Sequence, residues 1–221
     1  MTQSLLPLAG EGARRADEGR SRTDDPHPAL RATLSRKRER ALVLLFVATS
    51  AFAQTSPVDR VIAAAKSQVG VTRGYDGSYR RLAYPGGDVP QNTGVCTDVI
   101  IRAFRAAGVD LQVLVHRDMR ANFAAYPRTW GLTRPDPNID HRRVPNLAAF
   151  FKRSGKLVRG DYLPGDIVTW RLASGVPHIG LVSNVRAPGT NRYQMVHNIG
   201  AGTQIEDVLF VYEITGHYRW F

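Results

Sequence analysis

Cys96 is the one cysteine of the 221-residue chain, and its surroundings suit a nucleophile. It follows the turn-rich segment 84–94, and apolar residues recur at helical spacing after it, so we predict that it lies in the first turn of a helix. The positive end of the helix dipole at that position favours the reactive thiolate. A buried, inert cysteine is the alternative, because free cysteines are among the most buried residues in proteins.

Two histidines downstream could complete such a site. His178 opens a predicted strand over residues 178–183, and His197 lies near the end of a predicted strand over residues 192–198. If the two strands form a symmetric hairpin, His178 falls directly opposite His197 on one face of the sheet, with their Cβ atoms about 5 Å apart. A register slip of one residue would separate the two side chains.

A thiol, a base and a group that orients the base are the general parts of an activated nucleophile. We therefore predict that Cys96 is the nucleophile, His178 its general base and later acid, and His197 the residue that orients His178. Backbone N–H groups at the helix start would stabilise the oxyanion. The alternative for each histidine is a partly buried structural side chain.

Three further residues could shape this site. Tyr75 could donate its hydroxyl to the oxyanion or simply pack in its loop. Asp98 could hold the cysteine loop or cap its own helix, and the cap is the interpretation that we favour. Asn198 competes with His197 for the orienting position, but strand alternation turns it to the opposite face of the sheet, which favours His197.

Two adjacent arginines, Arg142 and Arg143, lie in an irregular stretch of the chain. Guanidinium groups bind carboxylates through two parallel hydrogen bonds, so both residues are candidates for binding substrate carboxylates. The structural alternative pairs them with Asp136, with Asp140 or with a backbone carbonyl. The pattern alone does not separate the two possibilities.

A metal site is the competing chemistry. The available ligands are His116, Asp118, His141, His178 and His197. If His178 and His197 face each other, Cys96 could be a third ligand beside them. None of them follows the H-E-x-x-H pattern or another tight metal-binding spacing. We therefore expect neither a metal ion nor another cofactor.

Four helices are predicted ahead of the strands. A serine N-cap and a proline at the first helical position start the first of them. The helices cover residues 57–69, 96–107, 116–125 and 145–153, with a short extended piece over residues 109–114. Residues 71–94 and 127–144 are irregular, and loops of such length are often functional.

After Gly155 the apolar period changes from that of a helix to that of a strand. Strands are predicted over residues 167–170, 178–183, 192–198, 208–214 and 217–221, with Gly216 separating the last two. Helices followed by an antiparallel meander form an α+β domain. We predict one such domain over residues 54–221.

Residues 36–53 combine a basic run, a short apolar run and Ala51-Phe52-Ala53, which are the three parts of a secretory signal peptide. A buried apolar helix is the alternative. Residues 1–35 lack an apolar period, so we expect a disordered or mis-assigned N-terminal extension. A signal peptide predicts export to the periplasm or beyond, with no stable membrane anchor after cleavage. A lone cysteine cannot form an internal disulfide in such an oxidising compartment, which makes a reactive thiol worth considering.

The charge of the chain favours an anionic partner. The formal net charge is +11, and residues 54–221 alone carry twenty-one basic and thirteen acidic side chains, a net charge of +8. A cell-wall polymer fits this balance. Nucleic acid is not an expected partner, since the basic residues do not cluster and no nucleic-acid-binding motif is visible.

Three segments resemble the signatures of the NlpC-type branch of the papain-like cysteine peptidases. They are Gly94-Val95-Cys96-Thr97-Asp98, Pro177-His178-Ile179-Gly180-Leu181-Val182 and Met195-Val196-His197-Asn198. The stretch from about residue 58 to residue 221 also resembles an uncharacterised bacterial domain-of-unknown-function family related to that branch, through residues 75–76, 84–85, 94–98, 139–146 and 197–200. The resemblance implies a papain-like fold, in which N-terminal helices, with the nucleophile at a helix start, pack on a C-terminal antiparallel sheet.

The resemblance also implies an exported cysteine amidase or endopeptidase that hydrolyses amide bonds in peptidoglycan stem peptides or muropeptides through a thioester acyl-enzyme. A non-catalytic cell-wall binding protein on the same fold is one alternative, and a zinc-dependent hydrolase that uses the two histidines is another. Val95 stands where the better-known NlpC-type enzymes have aspartate, and the loop around residues 140–143 is not part of their pattern. The substrate specificity of those enzymes therefore does not transfer to this chain.

Overall fold

The computed structural model describes residues 55–221, in which four helices precede a five-stranded sheet. The helices are α1 (Pro57–Lys66), α2 (Cys96–Ala106), α3 (Leu111–Asn122) and α4 (Val144–Arg153). The strands are β1 (Gly74–Tyr75), β2 (Thr93–Gly94), β3 (Ile167–Arg171), β4 (Pro177–Arg186), β5 (Tyr193–Asn198), β6 (Thr203–Glu206) and β7 (Glu213–Tyr218). Single 3-10 turns cover Phe123–Ala125 and Asp140–Arg142. The predicted signal peptide over residues 36–53 and the extension over residues 1–35 lie outside the described residues.

Helices α2 and α4 confirm their predicted bounds to within one residue, whereas α1 ends early. Ser56 caps the first turn of α1 and Pro57 occupies its first position, as predicted. The helix stops at Lys66, so the prediction that it continues to Val69 is wrong, and Val69 is 40% exposed. The side chain of Gln68 donates to a backbone carbonyl of α2 at 3.0 Å, which fixes a turn in place of the last predicted residues.

Helix α3 starts earlier than predicted. The segment 109–114, which we expected to be extended, contains the N-cap and first turn of this helix. Asp110 accounts for the difference, because its carboxylate accepts a backbone N–H two residues further on and caps the helix. Leu111, Val115 and Met119 then recur at helical spacing and are buried, so the apolar face of α3 begins with its first residue.

The sheet has the strand order β6-β5-β4-β3-β7, and every neighbouring pair is antiparallel. Strand β6 was not predicted. The prediction of two strands over residues 208–214 and 217–221 is wrong, because a single strand, β7, runs through Gly216 and pairs with β3. A bulge between Thr169 and Trp170 accommodates this pairing. The combination of helices with an antiparallel sheet confirms the α+β class.

The pairing of β4 with β5 decides where the two histidines meet. Val182 pairs with Met195, so Gly180 rather than His178 lies across from His197. The predicted register is therefore wrong by two residues, because a bulge after Val182 shifts the pairing. An even shift leaves each side chain on its original face, so the two histidines still share a face and meet diagonally.

The sheet separates two apolar clusters. On one face, α2 packs against β4 and β5 through the buried side chains of Val99, Ile100, Phe104, Leu181 and Val196. The opposite face carries a smaller cluster of Val168, Trp170, Val182, Met195 and Leu209. Full burial of each such side chain contributes about 1.5–3 kcal/mol, so the start of α2 is held firmly against the sheet. Within residues 55–221, no helix is both long and apolar enough to cross a membrane.

We expect that replacing Gly180 by alanine destabilises the fold by about 1–3 kcal/mol. A Cβ atom at this position would lie 3.0 Å from the Trp170 ring and 3.2 Å from the Cβ of His197. Urea unfolding followed by circular dichroism measures the change. Gly74→Ala is the matched control, since its Cβ would meet nothing nearer than Thr93 Oγ1 at 3.7 Å. Equal stability of the Gly180→Ala variant and the wild type would contradict this close packing.

Candidate active site

The two histidines of the predicted site are in direct contact. His178 Nε2 lies 2.9 Å from His197 Nδ1, and the two rings meet edge to face with their centroids 5.1 Å apart. Both side chains are buried, and the Trp170 ring stacks on His178 at a centroid distance of 5.7 Å. Gly180 leaves the space in which this diagonal contact forms.

Glu206 extends the pair into a chain of three side chains. Its Oε2 atom lies 3.0 Å from His197 Nε2, on the side of the ring opposite His178, as a close electrostatic contact rather than a hydrogen bond. A carboxylate there favours the tautomer of His197 that carries its proton on Nε2. His197 Nδ1 then accepts the Nε2–H of His178, and this leaves the lone pair of His178 on Nδ1. The chain therefore ends in an imidazole nitrogen that carries a free lone pair.

Sequence reasoning missed Glu206 because it missed β6. The β5–β6 register pairs Met195 with Glu206 and His197 with Gln204, so the glutamate also reaches its histidine diagonally. The carboxylate side chain is 46% exposed, and the histidine that it contacts is buried. The alternation of residues 203–206 after a glycine-containing turn was the available signal for the strand.

Burial keeps both histidines neutral. It lowers the pKa of His178 to about 3, and repulsion from a protonated His197 acts in the same direction. Burial also lowers the pKa of His197, although the charge of Glu206 opposes that shift. At neutral pH the pair is therefore two neutral imidazoles joined by a hydrogen bond.

Cys96 is the first residue of α2, as predicted, and it is 4% exposed. Burial raises the pKa of its thiol to about 11, with the charge of Asp98 adding to the rise. Hydrogen bonds from the backbone of Ile179 and Thr97 and from the Tyr75 hydroxyl favour the thiolate but do not offset burial. The expectation that the helix dipole would produce a thiolate is therefore not met in the free protein.

The thiol meets the start of β4 rather than the histidine rings themselves. Its hydrogen bond from the backbone of Ile179 puts it one residue from His178 along the chain. Ile179 faces the helical side of the sheet, whereas His178 faces Trp170 on the other side. Within residues 55–221, no hydrogen bond joins the thiol to either histidine. The structure thus brings His178 and His197 together and leaves Cys96 beside the strand that carries His178.

Asp98 and Arg142 form a buried ion pair beneath the cysteine. Arg142 Nε and Nη2 each donate to the carboxylate of Asp98 at 2.9 Å, and the same carboxylate accepts the N–H of Val95 at 2.7 Å. The remaining donors of Arg142 reach the carbonyls of Asp76 and Ser78. Asp98 thus both caps its helix and holds the cysteine loop, and the donors of Arg142 are engaged by the protein.

Asn198 and Tyr75 lie on the helical side of the sheet. The Asn198 amide donates to the carbonyls of Gly74 and Gly94 at 3.1 Å each, which ties β1 and β2 to the end of β5. Its side chain is thus engaged away from His197, as strand alternation predicted. Burial and the neighbouring thiol of Cys96 raise the pKa of Tyr75, so its hydroxyl stays protonated and able to donate.

A cleft of about 470 Å³ opens over Cys96. Its walls come from three loops and from the first turns of α2 and α4, and they are rich in aromatic and aliphatic side chains. The lining residues are Tyr75, Gly77, Tyr79, Val95, Cys96, Trp130, Ile139, Arg142, Arg143, Val144, Pro145, Val176 and Pro177. The irregular stretches 71–94 and 127–144 therefore meet beside Cys96.

The competing metal ligands are dispersed. His116 packs against the Tyr84 ring at a centroid distance of 5.3 Å, and Asp118 forms an ion pair with Arg153 at 2.7 Å. His141 is buried in the 3-10 turn next to Arg142. Within residues 55–221, no group of three histidine, cysteine or acidic side chains is arranged to hold a metal ion.

Comparison with known proteins identifies a family and a curated relative that match most of the described residues. Residues 62–220 match a family described as Domain of unknown function (DUF1287). A curated protein of Escherichia coli (strain K12), described as Uncharacterized protein YijF, is 56% identical over 163 residues, which cover 71% of this chain and 78% of that protein. Every candidate site residue from Tyr75 to Glu206 falls within the matched range.

We expect that Arg142→Gln lowers the free energy of unfolding by about 3–5 kcal/mol, because it leaves the carboxylate of Asp98 buried without its partner. Arg143→Gln is the matched control. The Arg143 guanidinium lies 3.6 Å from the buried carboxylate of Asp140 without a hydrogen bond, so its loss should cost clearly less than the loss of Arg142. Urea unfolding of both variants measures the difference, and equal losses would contradict the separation of the two arginines.

Alkylation of Cys96 by iodoacetamide should be slow at pH 7 and rise steeply with pH. With a thiol pKa of about 11, the thiolate fraction grows about tenfold per pH unit across the range from 7 to 9.5. Mass spectrometry follows the reaction, and the urea-unfolded chain is the control, whose rate should level off above the ordinary cysteine pKa of about 8.5. A rate in the folded protein that is already constant at pH 7 would contradict a protonated thiol.

Proposed function

The chain belongs to the DUF1287 family, and we propose that it is a cysteine hydrolase of amide bonds on a papain-like fold of the NlpC type. The observation that carries the proposal is the contact chain from Glu206 through His197 to His178, which ends beside the strand residue that hydrogen-bonds the Cys96 thiol. A buried histidine with a purely structural role needs only one polar partner. Here a carboxylate, an orienting histidine and a second histidine follow one another, which is the order of groups that a general base requires.

The reaction begins with an uncharged site. His178 Nδ1 takes the thiol proton while the sulfur of Cys96 bonds to the substrate carbonyl carbon, and the carbonyl π electrons move to its oxygen. The imidazolium that forms is stabilised by the hydrogen bond to His197 and, through it, by the charge of Glu206. Because both partners are neutral at rest, proton transfer accompanies attack and does not precede it.

Two donors can stabilise the oxyanion. The Cys96 N–H is in the first turn of α2 and donates no hydrogen bond within residues 55–221. The Tyr75 hydroxyl is protonated and lies against the thiol. Preorganised donors of this kind act where charge develops in the transition state, so they lower the barrier more than they strengthen substrate binding.

Collapse of the tetrahedral intermediate breaks the carbon–nitrogen bond, and His178 returns its proton to the leaving amine. The acyl group remains on Cys96 as a thioester. His178 then removes a proton from water as the water oxygen attacks the thioester carbon. The carbon–sulfur bond breaks, the carboxylic acid leaves, and the thiol regains its proton.

We propose peptidoglycan stem peptides as the substrate and the periplasm or the exterior of the cell as the location. The net charge of +8 over residues 54–221 suits an anionic wall polymer, and the signal peptide proposed over residues 36–53 would supply export. An open cleft of about 470 Å³ accommodates a peptide of a few residues. The resemblance to NlpC-type peptidases supports cell-wall peptides as the substrate class, without carrying over the specificity of those enzymes for a particular bond.

A non-catalytic cell-wall binding protein is the second candidate. The observation in its favour is the buried thiol, whose pKa of about 11 and whose separation from the histidine rings leave it unactivated in the free protein. The two candidates differ in whether substrate binding brings the thiol and His178 Nδ1 together.

Incubation of the protein with purified muropeptides should release new products that mass spectrometry detects, and Cys96→Ala should release none. Glu206→Gln should retain the fold, because the carboxylate side chain is 46% exposed, and lower kcat by about tenfold or more as the orientation of His197 weakens. Gln204→Asn, on the same strand, is the matched control and should leave kcat unchanged. If the wild type binds muropeptides from several wall types without cleaving any, the hydrolase proposal fails and the binding protein is favoured.

A further inference from the structure

The two arginines of the cleft differ in what their donors do. Each of the three guanidinium nitrogens of Arg142 donates to a carboxylate or carbonyl oxygen of the protein. Arg143, the next residue, donates no side-chain hydrogen bond within residues 55–221, and its nearest carboxylate oxygen, on Asp140, is 3.6 Å from Nη1. Arg143 lines the same cleft as Cys96. Its hydrogen-bonding capacity is therefore open to a ligand.

The guanidinium of Arg143 is held in place although it is not hydrogen-bonded. Its Cζ atom lies 4.2 Å from the centroid of the Trp130 ring, which covers one face of the planar group. The backbone of Arg143 is fixed as well, because it is the N-cap of α4 and its N–H donates to the carbonyl of Asp140. A planar donor group that is already oriented loses little conformational entropy when a ligand binds.

One edge of the guanidinium faces inward, and the other is in contact with solvent. Nη1 is buried without a hydrogen-bond partner and points towards Asp140, whose Oδ1 atom is also buried and unpartnered. Nε and Nη2 also lack hydrogen bonds, but they are not buried and remain in contact with solvent. The Nε–Nη2 edge is the one that carboxylates bind through two parallel hydrogen bonds.

The local charge selects the kind of anion. Asp136 and Asp140 lie near Arg143 and partly balance it, while the charge of Asp98 is already neutralised by Arg142. Burial of Arg143 lowers its pKa, which reflects a cation with too few partners. A single carboxylate would complete its coordination, whereas a dianionic phosphate would be repelled by the two aspartates.

We propose that Arg143, held by Trp130, binds a free carboxylate that the substrate carries close to the bond cleaved at Cys96. This inference rests on the proposed hydrolase function and adds to it a substrate class, amides of acidic peptides. It also gives a role to the loop over residues 139–145 that the resemblance to NlpC-type peptidases leaves unexplained.

The test compares wall peptides whose carboxyl groups are free with the same peptides after conversion of those groups to carboxamides. The wild type should cleave the free form with a kcat/KM roughly tenfold or more above that of the amidated form, as expected for one charge-assisted contact. Arg143→Gln should remove this preference, mainly by raising KM for the free form. Arg143→Lys should restore part of the preference, because an ammonium group keeps the charge but not the fork.

Arg128→Gln is the matched control. Arg128 also lies over an aromatic ring, with its Cζ atom 6.0 Å from the centroid of Phe123, but it is exposed and lies outside the cleft. This variant should keep the wild-type preference. Cleavage of both peptide forms at equal rates by the wild type, or an unchanged preference in Arg143→Gln, would overturn the proposal.

A binding experiment distinguishes this proposal from the hydrolase proposal. Isothermal titration of the Cys96→Ala protein with the two peptide forms should show tighter binding of the free form, and adding Arg143→Gln should abolish the difference. If the wild type cleaves neither form but this binding preference is observed, the hydrolase proposal fails and the carboxylate site stands. If neither cleavage nor a binding preference is observed, both proposals fail.

Discussion

The site depends above all on the buried ion pair between Asp98 and Arg142. Two buried charges are costly unless each finds a partner and further hydrogen bonds, and here the guanidinium also bonds the carbonyls of Asp76 and Ser78. The carboxylate meanwhile accepts the N–H of Val95, the residue directly before Cys96. One interaction thus joins the Tyr75 loop, the start of α2 and the turn before α4, which are three walls of the cleft. Lysine could not replace the arginine, because it lacks the planar fork that reaches all these oxygens.

The second constraint is the register of the strands at the β6 edge of the sheet. The chain of Glu206, His197 and His178 requires three antiparallel strands in one register, and Gly180 supplies the space for its diagonal contact. Asn198 sits one residue beyond His197 and faces the other way, where it fastens β1 and β2. Adjacent residues of one strand therefore serve the two sides of the candidate site, one in contact with His178 and the other holding the loops beside Cys96.

The sequence predicts well what depends on neighbouring residues and poorly what depends on distant ones. Helices α2 and α4 follow from apolar spacing and end signals, and the two histidines share a face because strand alternation survives an even register shift. The register itself, β6 and Glu206 depend on bulges and on pairing between segments, which no local pattern encodes. The pKa of Cys96 depends on burial, which outweighs the helix dipole. Arg142 and Arg143 are identical in type and adjacent in the chain, so only the folded structure could distinguish their roles.

The burial of Cys96 has a consequence for how long the protein survives intact. Oxidation of cysteine by peroxides and disulfides proceeds through the thiolate and requires access to the sulfur. A thiol that is 4% exposed and has a pKa of about 11 offers neither, so it resists conversion to sulfenic acid or to a mixed disulfide. The chain has no second cysteine that could rescue an oxidised sulfur by forming an internal disulfide. An enclosed, protonated thiol is therefore oxidised more slowly than an exposed thiolate would be.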